Sequence, residues 1–180
     1  SNVGVVGGQA APDGSATAAK VTPDTASSLH RISQGWTPTA GQKYTQSVWL
    51  KSAGVRWVCV NMDANAGARL TVDLQTGAFA TGGAAPENAS VVAYPNGWYR
   101  VAVTGTGTGA TGNDTWFQAN TAMTVADTVF AGNGADGFII WGAQLEAGLR
   151  ATSHIPTTIG PATRAADALA PLSLSGLWAA

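Results

Sequence analysis

Three tryptophans occur on strand-like segments at positions that face away from the predicted core. Side chains alternate between the two faces of a β-strand, so apolar residues spaced two apart mark the buried face. In residues 44–51, 56–62 and 98–104 this alternation puts Trp49, Trp57 and Trp98 on the opposite face. An indole ring covers the C–H face of a sugar, while neighbouring amides and guanidinium groups bond its hydroxyls. The pattern therefore favours sugar binding.

Polar side chains on the same kind of segment, with one aromatic residue on a loop, complete the candidate binding set. The set comprises Trp36, Trp49, Trp57, Trp98, Arg31, Arg100, Asn61 and Gln144. Structural alternatives are open for these residues. Trp49 and Trp57 could lie in the interior, Trp98 could pack over its own turn, and Trp36 could close one end of a sandwich. The arginines could be ordinary surface cations or ion-pair partners of Glu146 and the aspartates.

Catalytic groups are sparse. Hydrolysis of a glycosidic bond usually needs two carboxyl groups about 5–10 Å apart. The glutamates of this chain are Glu87, in a Pro-Glu-Asn loop, and Glu146, near the end of the last predicted strand. His30, Arg31 and Tyr44 are residue types that a polysaccharide lyase uses, but nothing in their spacing brings them together. We therefore predict that the chain is not an enzyme.

Metal and thiol chemistry are also weakly indicated, and we predict no cofactor. Asp63 and Asn65 precede Gly67 with the spacing of a hard-cation loop, and Asn133 and Asp136 form a similar group. A structural Ca²⁺ would use such oxygens, but no bidentate Glu follows them, so both are interpreted as plain turns. The single cysteine, Cys59, lies in a strand-like run and is predicted to be buried and unreactive.

Composition excludes several classes of partner. Nine basic and ten acidic residues are scattered singly and give a net charge of −1, so the basic stripe of a nucleic-acid-binding protein is absent. No apolar run reaches the length of a membrane span, and the N-terminus lacks the pattern of a signal peptide. A surface rich in hydroxyls and amides suits an extracellular or virion-associated protein, because only 11% of residues are charged.

Turn residues divide the chain into short segments. Strands are predicted over residues 17–22, 29–34, 44–51, 56–62, 69–73, 90–93, 98–104, 115–120 and 137–145. Asn96-Gly97 is a two-residue hairpin signal, and Trp141 lies in an apolar run that is predicted to be core. No segment keeps a helical period, so these elements favour an all-β sandwich or barrel.

Four sequence blocks, taken in order, suggest a family. They are APDGSATAA at residues 11–19, GQKYTQSVWLK at 41–51, NGWYR at 96–100, and 136–167, which contains WGAQLEAG, ATSHIPT and TRAAD. Together they resemble a domain of phage tail and tail-fibre proteins. Two departures stand out: His154 replaces a more frequent Tyr, and residues 142–146 lack the Ca²⁺-binding aspartates of some related modules.

The resemblance implies a jelly-roll β-sandwich of two antiparallel sheets, similar to carbohydrate-binding modules and concanavalin-like lectins. It implies non-catalytic binding of a polysaccharide, with Trp49 at the position of a sugar-stacking aromatic in some relatives. The alternative is a spacer of a tail fibre, without its own ligand and with its Trp face used in a trimer. Residues 1–167 are predicted to form the domain, and residues 168–180 a linker to a following domain.

Overall fold

The strands of the chain form two large sheets and one small one. The computed structural model describes residues 2–63, 67–83, 86–111 and 113–157. Its strands are β1 (Val3–Gln9), β2 (Ala18–Pro23), β3 (Ser27–Ser28), β4 (Arg31–Trp36), β5 (Lys43–Ala53), β6 (Trp57–Met62), β7 (Ala68–Asp73), β8 (Phe79–Gly82), β9 (Asn88–Tyr94), β10 (Trp98–Thr106), β11 (Asn113–Asn120), β12 (Phe130–Ala131) and β13 (Gly137–Ala147). No helix within these residues is long and apolar enough to cross a membrane.

The strand order is that of a jelly roll. One sheet has six strands in the order β1-β2-β13-β5-β10-β9, and the other has five in the order β4-β11-β6-β7-β8. Successive strands β4, β5 and β6 alternate between the sheets, as do β10, β11 and β13. Antiparallel strands with this alternation form two packed sheets. The predicted all-β sandwich of two antiparallel sheets is therefore confirmed.

The main core lies between the sheets. Its fully buried side chains include Val48, Leu50, Val58, Val60, Leu70, Val72, Val101, Val103 and Phe138. Each such side chain contributes roughly 1.5–3 kcal/mol when it leaves water. The inward positions predicted from alternation in β5, β6 and β10 are confirmed by this cluster.

A second apolar cluster lies on the outer face of the six-stranded sheet. Ala11, Ala18, Trp49 and Trp98 are its buried members, and Trp141 packs against them. The prediction that Trp141 belongs to the main core is wrong, because Phe138 and Ile140 take the inward positions of β13. Trp141 therefore points outward from the sheet.

A bulge in β13 makes room for this outer cluster. The register with β5 shifts between Trp141 and Gln144, and Gly142 has a φ of 59°. A Cβ on Gly142 would lie 3.0 Å from Cε3 of Trp49 and 3.1 Å from Cδ2 of His154. Glycine is favoured on both counts, since other residues seldom adopt that φ and a Cβ would be in tight contact with the two rings.

The turn between β9 and β10 follows the predicted hairpin signal. Pro95–Gly97 forms a tight turn in which Asn96 has a φ of 62° and Gly97 a φ of 77°. Asn-Gly closes tight hairpins because both residues tolerate positive φ. The predicted linker at 168–180 and the last part of the predicted domain, 158–167, lie outside the described residues.

Candidate functional site

The predicted tryptophans do not share one surface. Trp49 and Trp98 lie on the outer face of the six-stranded sheet, whereas Trp57 begins β6 in the five-stranded sheet. The outer faces of the two layers point in opposite directions, with the core between them. One ligand groove cannot therefore contain both Trp49 and Trp57.

Trp49 is enclosed by other rings. Only 6% of its surface is exposed. Ring centroids of Trp141, His154 and Tyr94 lie 5.1, 5.9 and 6.3 Å from it, and the Arg100 guanidinium carbon lies 4.4 Å from its ring centroid. The Trp49 ring thus packs against other side chains of the protein. Trp98, which is 3% exposed, is equally buried. Neither ring offers an open stacking surface.

Residues 148–157 form a strap across this face. The hydroxyls of Thr45 and Thr104 donate to the carbonyls of Gly148 and Leu149 at 3.0 and 3.3 Å. Glu146 accepts from both the backbone N–H and the hydroxyl of Thr152 at 2.8 Å. The strap is held by a series of polar contacts, and its His154 packs against Trp49, one of the tryptophans that the sequence marked for sugar stacking.

Gln144, a predicted ligand contact, anchors the strap instead. Its Oε1 accepts from the Ile155 N–H at 2.9 Å, and its Nε2 donates to Glu146 at 2.9 Å. His154 lies 4.5 Å from the Trp141 centroid, so an aromatic contact is present although Tyr is replaced. These side chains fix the strap on the sheet.

Trp36 closes one end of the sandwich. It packs edge-on against Tyr44, with ring centroids 4.9 Å apart, and both residues contact the main core. His30 is fully buried, with ring nitrogens 2.6 and 2.8 Å from the carbonyl oxygens of Asn2 and Phe130. His30 and Tyr44 thus have separate structural roles, and the residues considered for a lyase site are not brought together.

The outer face of the five-stranded sheet contains the remaining candidates. Trp116 is 2% exposed, and the guanidinium carbons of Arg31 and Arg69 lie 5.5 and 5.0 Å from its ring centroid. Asn61 is fully buried there, and neither polar atom of its side chain has a partner within the described residues. Trp57 is partly exposed under the guanidinium of Arg56, at 4.8 Å.

A loop at 121–128 contacts this second face. Thr71 donates to the Thr124 carbonyl at 2.7 Å, and Arg69 donates to the Val125 carbonyl at 3.0 Å. Cys59 is buried beside Thr71, and its burial raises the pKa of the thiol to about 11. The predicted buried thiol is confirmed.

An open groove lies beside the strap, on the six-stranded sheet. It encloses about 320 Å³ and is lined by Thr45, Asn88, Ser90, Val92, Tyr94, Arg100, Ala102, Thr104, Arg150 and Ala151. Tyr94 is 40% exposed and Val92 is 51% exposed. β9 and β10 form most of its floor, with Arg100 opposite Val92 and Ala102 opposite Ser90.

Sequence reasoning identified Arg100 but missed the aromatic residue and the polar row of this groove. Asn88, Ser90, Val92 and Tyr94 alternate along β9 and so line one face. The signal was present, but the predicted strand ended at residue 93, next to Pro95. Arg150 follows the last strand in an irregular segment, where no period shows which way a side chain points.

Metal ligands do not converge in the part of the chain that the structure covers. No group of three or more His, Cys, Asp or Glu residues able to hold a metal ion occurs there. Asn133 donates to Asp136 at 2.7 Å, and its Oδ1 accepts from the backbone of Ala135 and Asp136. These contacts make the 133–137 segment a self-bonded turn; Asn65 of the other candidate loop lies outside the described residues.

Comparisons with known proteins give a distant likeness. No protein-family model matches the chain, and no curated protein sequence matches it. Among solved structures, it is similar to the enzymatically active domain of tailspike protein 4 from bacteriophage CBA120, with 13% identity and a TM-score of 0.46. The match covers 81% of this chain and 18% of the tailspike chain.

This match corrects one prediction. The tailspike chain is described as an enzymatically active domain, which contradicts the prediction that the present chain is not an enzyme, and we withdraw that prediction. At this identity and TM-score the likeness assigns neither an activity nor a substrate to the chain.

Proposed function

We propose that the chain is a polysaccharide-binding domain of a phage tail or tail-like protein, and that the sugar lies in the groove between β9, β10 and the strap. The main observation in support is that the exposed Tyr94 ring lies in a groove with Asn88, Ser90 and Arg100. A host capsule or cell-wall glycan is the ligand class that this surface fits.

The groove has the chemistry that sugar binding requires. A partly exposed Tyr ring offers an apolar face for sugar C–H groups and a hydroxyl at its rim. Amide, hydroxyl and guanidinium groups nearby supply both donors and acceptors. A volume of about 320 Å³ is at the lower end of the usual range for small-ligand sites, which suits one or two units of a longer polymer.

The sequence blocks that resemble phage tail domains also frame this groove. The block at 41–51 forms most of β5, which contributes Thr45, and the block at 96–100 carries Arg100 at the start of β10. The last block supplies the strap with Arg150 and Ala151. This coincidence supports placing the ligand in the groove and not on the enclosed tryptophans.

Substitution of Tyr94 tests the proposal. We expect the parent chain to bind at least one polymer in a panel of bacterial capsule and cell-wall polysaccharides, and Tyr94→Ala to weaken that binding about tenfold through loss of ring contact. Phe79→Ala is the matched control, because Phe79 is similarly exposed, at 44%, but lies in the other sheet. Assays of reducing-sugar release on the same polymers would record turnover.

Two results would contradict the proposal. One is the absence of binding to every polymer of the panel. The other is a Tyr94→Ala variant that binds as the parent does while its thermal unfolding is unchanged.

A second candidate function is assembly, as a spacer in a tail fibre. The observation that favours it is the exposure of β1, which is an edge strand. Its adjacent residues Val5 and Val6 are 55% and 63% exposed. An unpaired edge with apolar side chains can add a strand from another chain. The Trp face assigned to such contacts is instead covered by the chain's own strap.

A further inference from the structure

We infer that the polysaccharide bound in the groove is acidic, with a sugar carboxylate held by Arg100 and Arg150. This inference rests on the proposed function and adds the ligand's charge. Both arginines line the groove, and no acidic residue is among its lining residues. Two guanidinium groups in one small groove repel each other, and an anion between them removes that repulsion.

The two groove arginines lack the carboxylate partner that three other long cations of the described residues have. Lys43, Arg56 and Arg69 pair with Glu87, Asp73 and Asp127. No carboxylate of the described residues lies within ion-pair distance of Arg100 or Arg150. The groove therefore presents positive charge that the rest of the described protein leaves uncompensated.

Nearby acids are held in other contacts. Glu87, next to the groove residue Asn88, bonds Lys43 and Thr106. Glu146, which faces Thr45 across the β13–β5 ladder, accepts from Gln144 and twice from Thr152. Since these contacts occupy both carboxylates, neither is directed to the groove arginines.

The orientation of the Arg100 side chain is fixed by contacts within the protein. Its guanidinium lies over the Trp49 ring at 4.4 Å, and one of its terminal nitrogens donates to the Thr152 carbonyl. Its Nε is buried and has no partner within the described residues. A guanidinium fixed in this way loses little freedom when it bonds a carboxylate, and its planar donors match the two carboxylate oxygens.

Arg150 supplies the accessible half of the pair. It lies on the strap and is exposed to solvent, so its substitution removes charge without opening the core. Lys51 is a matched control: it lies on the same outer face, on β5, but pairs with Trp98 at the end remote from Thr45. Replacing either residue by Gln removes one positive charge from the sheet face.

The test is calorimetric titration with polygalacturonate, alginate and hyaluronan fragments, each compared with its carboxyl-reduced, neutral counterpart. We expect at least one acidic polymer to bind about tenfold more tightly than its neutral form. Arg150→Gln should weaken binding of the acidic polymer about tenfold, so that the acidic and neutral polymers bind with similar affinity. Lys51→Gln should change the affinity for the acidic polymer less than about twofold.

The outcomes separate the two proposals. Equal binding of acidic and neutral forms overturns the inference and leaves the proposed function standing. The inference is also overturned if Arg150→Gln and Lys51→Gln lower the affinity for the acidic polymer equally. It is overturned as well if dextran sulfate binds as tightly as the uronates, because both results indicate general attraction of anions. If neither the acidic and neutral forms nor the capsule and cell-wall panel bind, the proposed function fails together with the inference.

Discussion

The ion pair between Arg56 and Asp73 joins the start of β6 to the end of β7. Nη2 of Arg56 lies 2.7 Å from Oδ2 of Asp73, and Nε lies 3.1 Å from both carboxylate oxygens. The backbone N–H of Gln75 donates to the same carboxylate at 2.9 Å. The arginine hydrogen bonds, more than this backbone contact, lower the pKa of Asp73 to about 2.

This pKa predicts an acid-dependent loss of stability. Because the carboxylate is favoured in the folded state, its contribution is complete above about pH 4, the ordinary pKa, and is lost as pH falls toward 2. Arg56 is 39% exposed, so solvent screening reduces the contribution to about 1–2 kcal/mol.

Chemical denaturation at a series of pH values measures this loss. Asp73→Asn should be less stable at neutral pH, and its free energy of unfolding should fall less between pH 4 and 2. Arg56→Gln should raise the carboxyl pKa of Asp73, as followed by NMR. A variant Asp73→Asn with the full acid loss of the parent would contradict the assignment.

Single residues also show where sequence reasoning stops. Alternation placed Trp49 and Trp98 on the correct face, since the period of a strand is fixed by its backbone. It could not show that His154 and residues around it cover that face, because the strap has no period. Tyr94 was missed for a smaller reason, a strand ended one residue too early.

The strap and the bulge in β13 act together as one element. Gly142 lets the strand bulge beside Trp49, and Gln144 and Glu146 then hold the residues that fold back. The described part of the block from 136 to 167 thus closes an aromatic face and borders a groove. Its residues could be recognised in the sequence, but their tertiary contacts could not be derived from it.

Strand positions were predictable wherever one face is buried. All nine predicted segments occur as strands, with ends shifted by a few residues. β1 was not among them, because its residues are exposed on both faces and Gly4, Gly7 and Gly8 interrupt any alternation. The pairing order required contacts between distant segments, which periodicity alone does not encode.

The exposed edge of β1 predicts self-association. Val5 and Val6 point to opposite faces of an edge strand, so a second copy can pair its backbone and cover both side chains. We expect association that grows with concentration in sedimentation velocity, and we expect Val6→Lys to reduce it. Val129→Lys is the control, since Val129 is also 63% exposed but lies outside the strands. A chain that stays monomeric, or equal effects of both substitutions, would reject this role for β1.

Across the whole molecule, the outer faces of both sheets are partly covered by the chain itself. His154 of the strap packs against Trp49 and Trp141 of the six-stranded sheet, and the loop at 121–128 bonds to β7 of the five-stranded sheet. The open groove beside β9 is bordered by the strap, so a ligand bound there contacts both a sheet and a segment that folds back onto it. Such a site depends on the complete sandwich.

Cys59 can report the opening of the complete sandwich. It lies within β6, which pairs with β11 on one side and β7 on the other, and it is fully buried. Burial also raises its pKa to about 11, so little reactive thiolate forms at neutral pH. We expect an aromatic disulfide reagent to modify Cys59 at least about a thousandfold more slowly than in the unfolded chain.

The dependence on denaturant distinguishes global from local opening. If labelling needs global unfolding, the logarithm of its rate rises with urea with the same slope as equilibrium unfolding. If movement of the 121–128 loop is enough, the slope is much smaller, and Thr71→Val, which removes the bond to Thr124, accelerates labelling more than it lowers stability. We expect the steep slope, because Cys59 is fully buried between the equally buried side chains of Gln118 on β11 and Thr71 on β7.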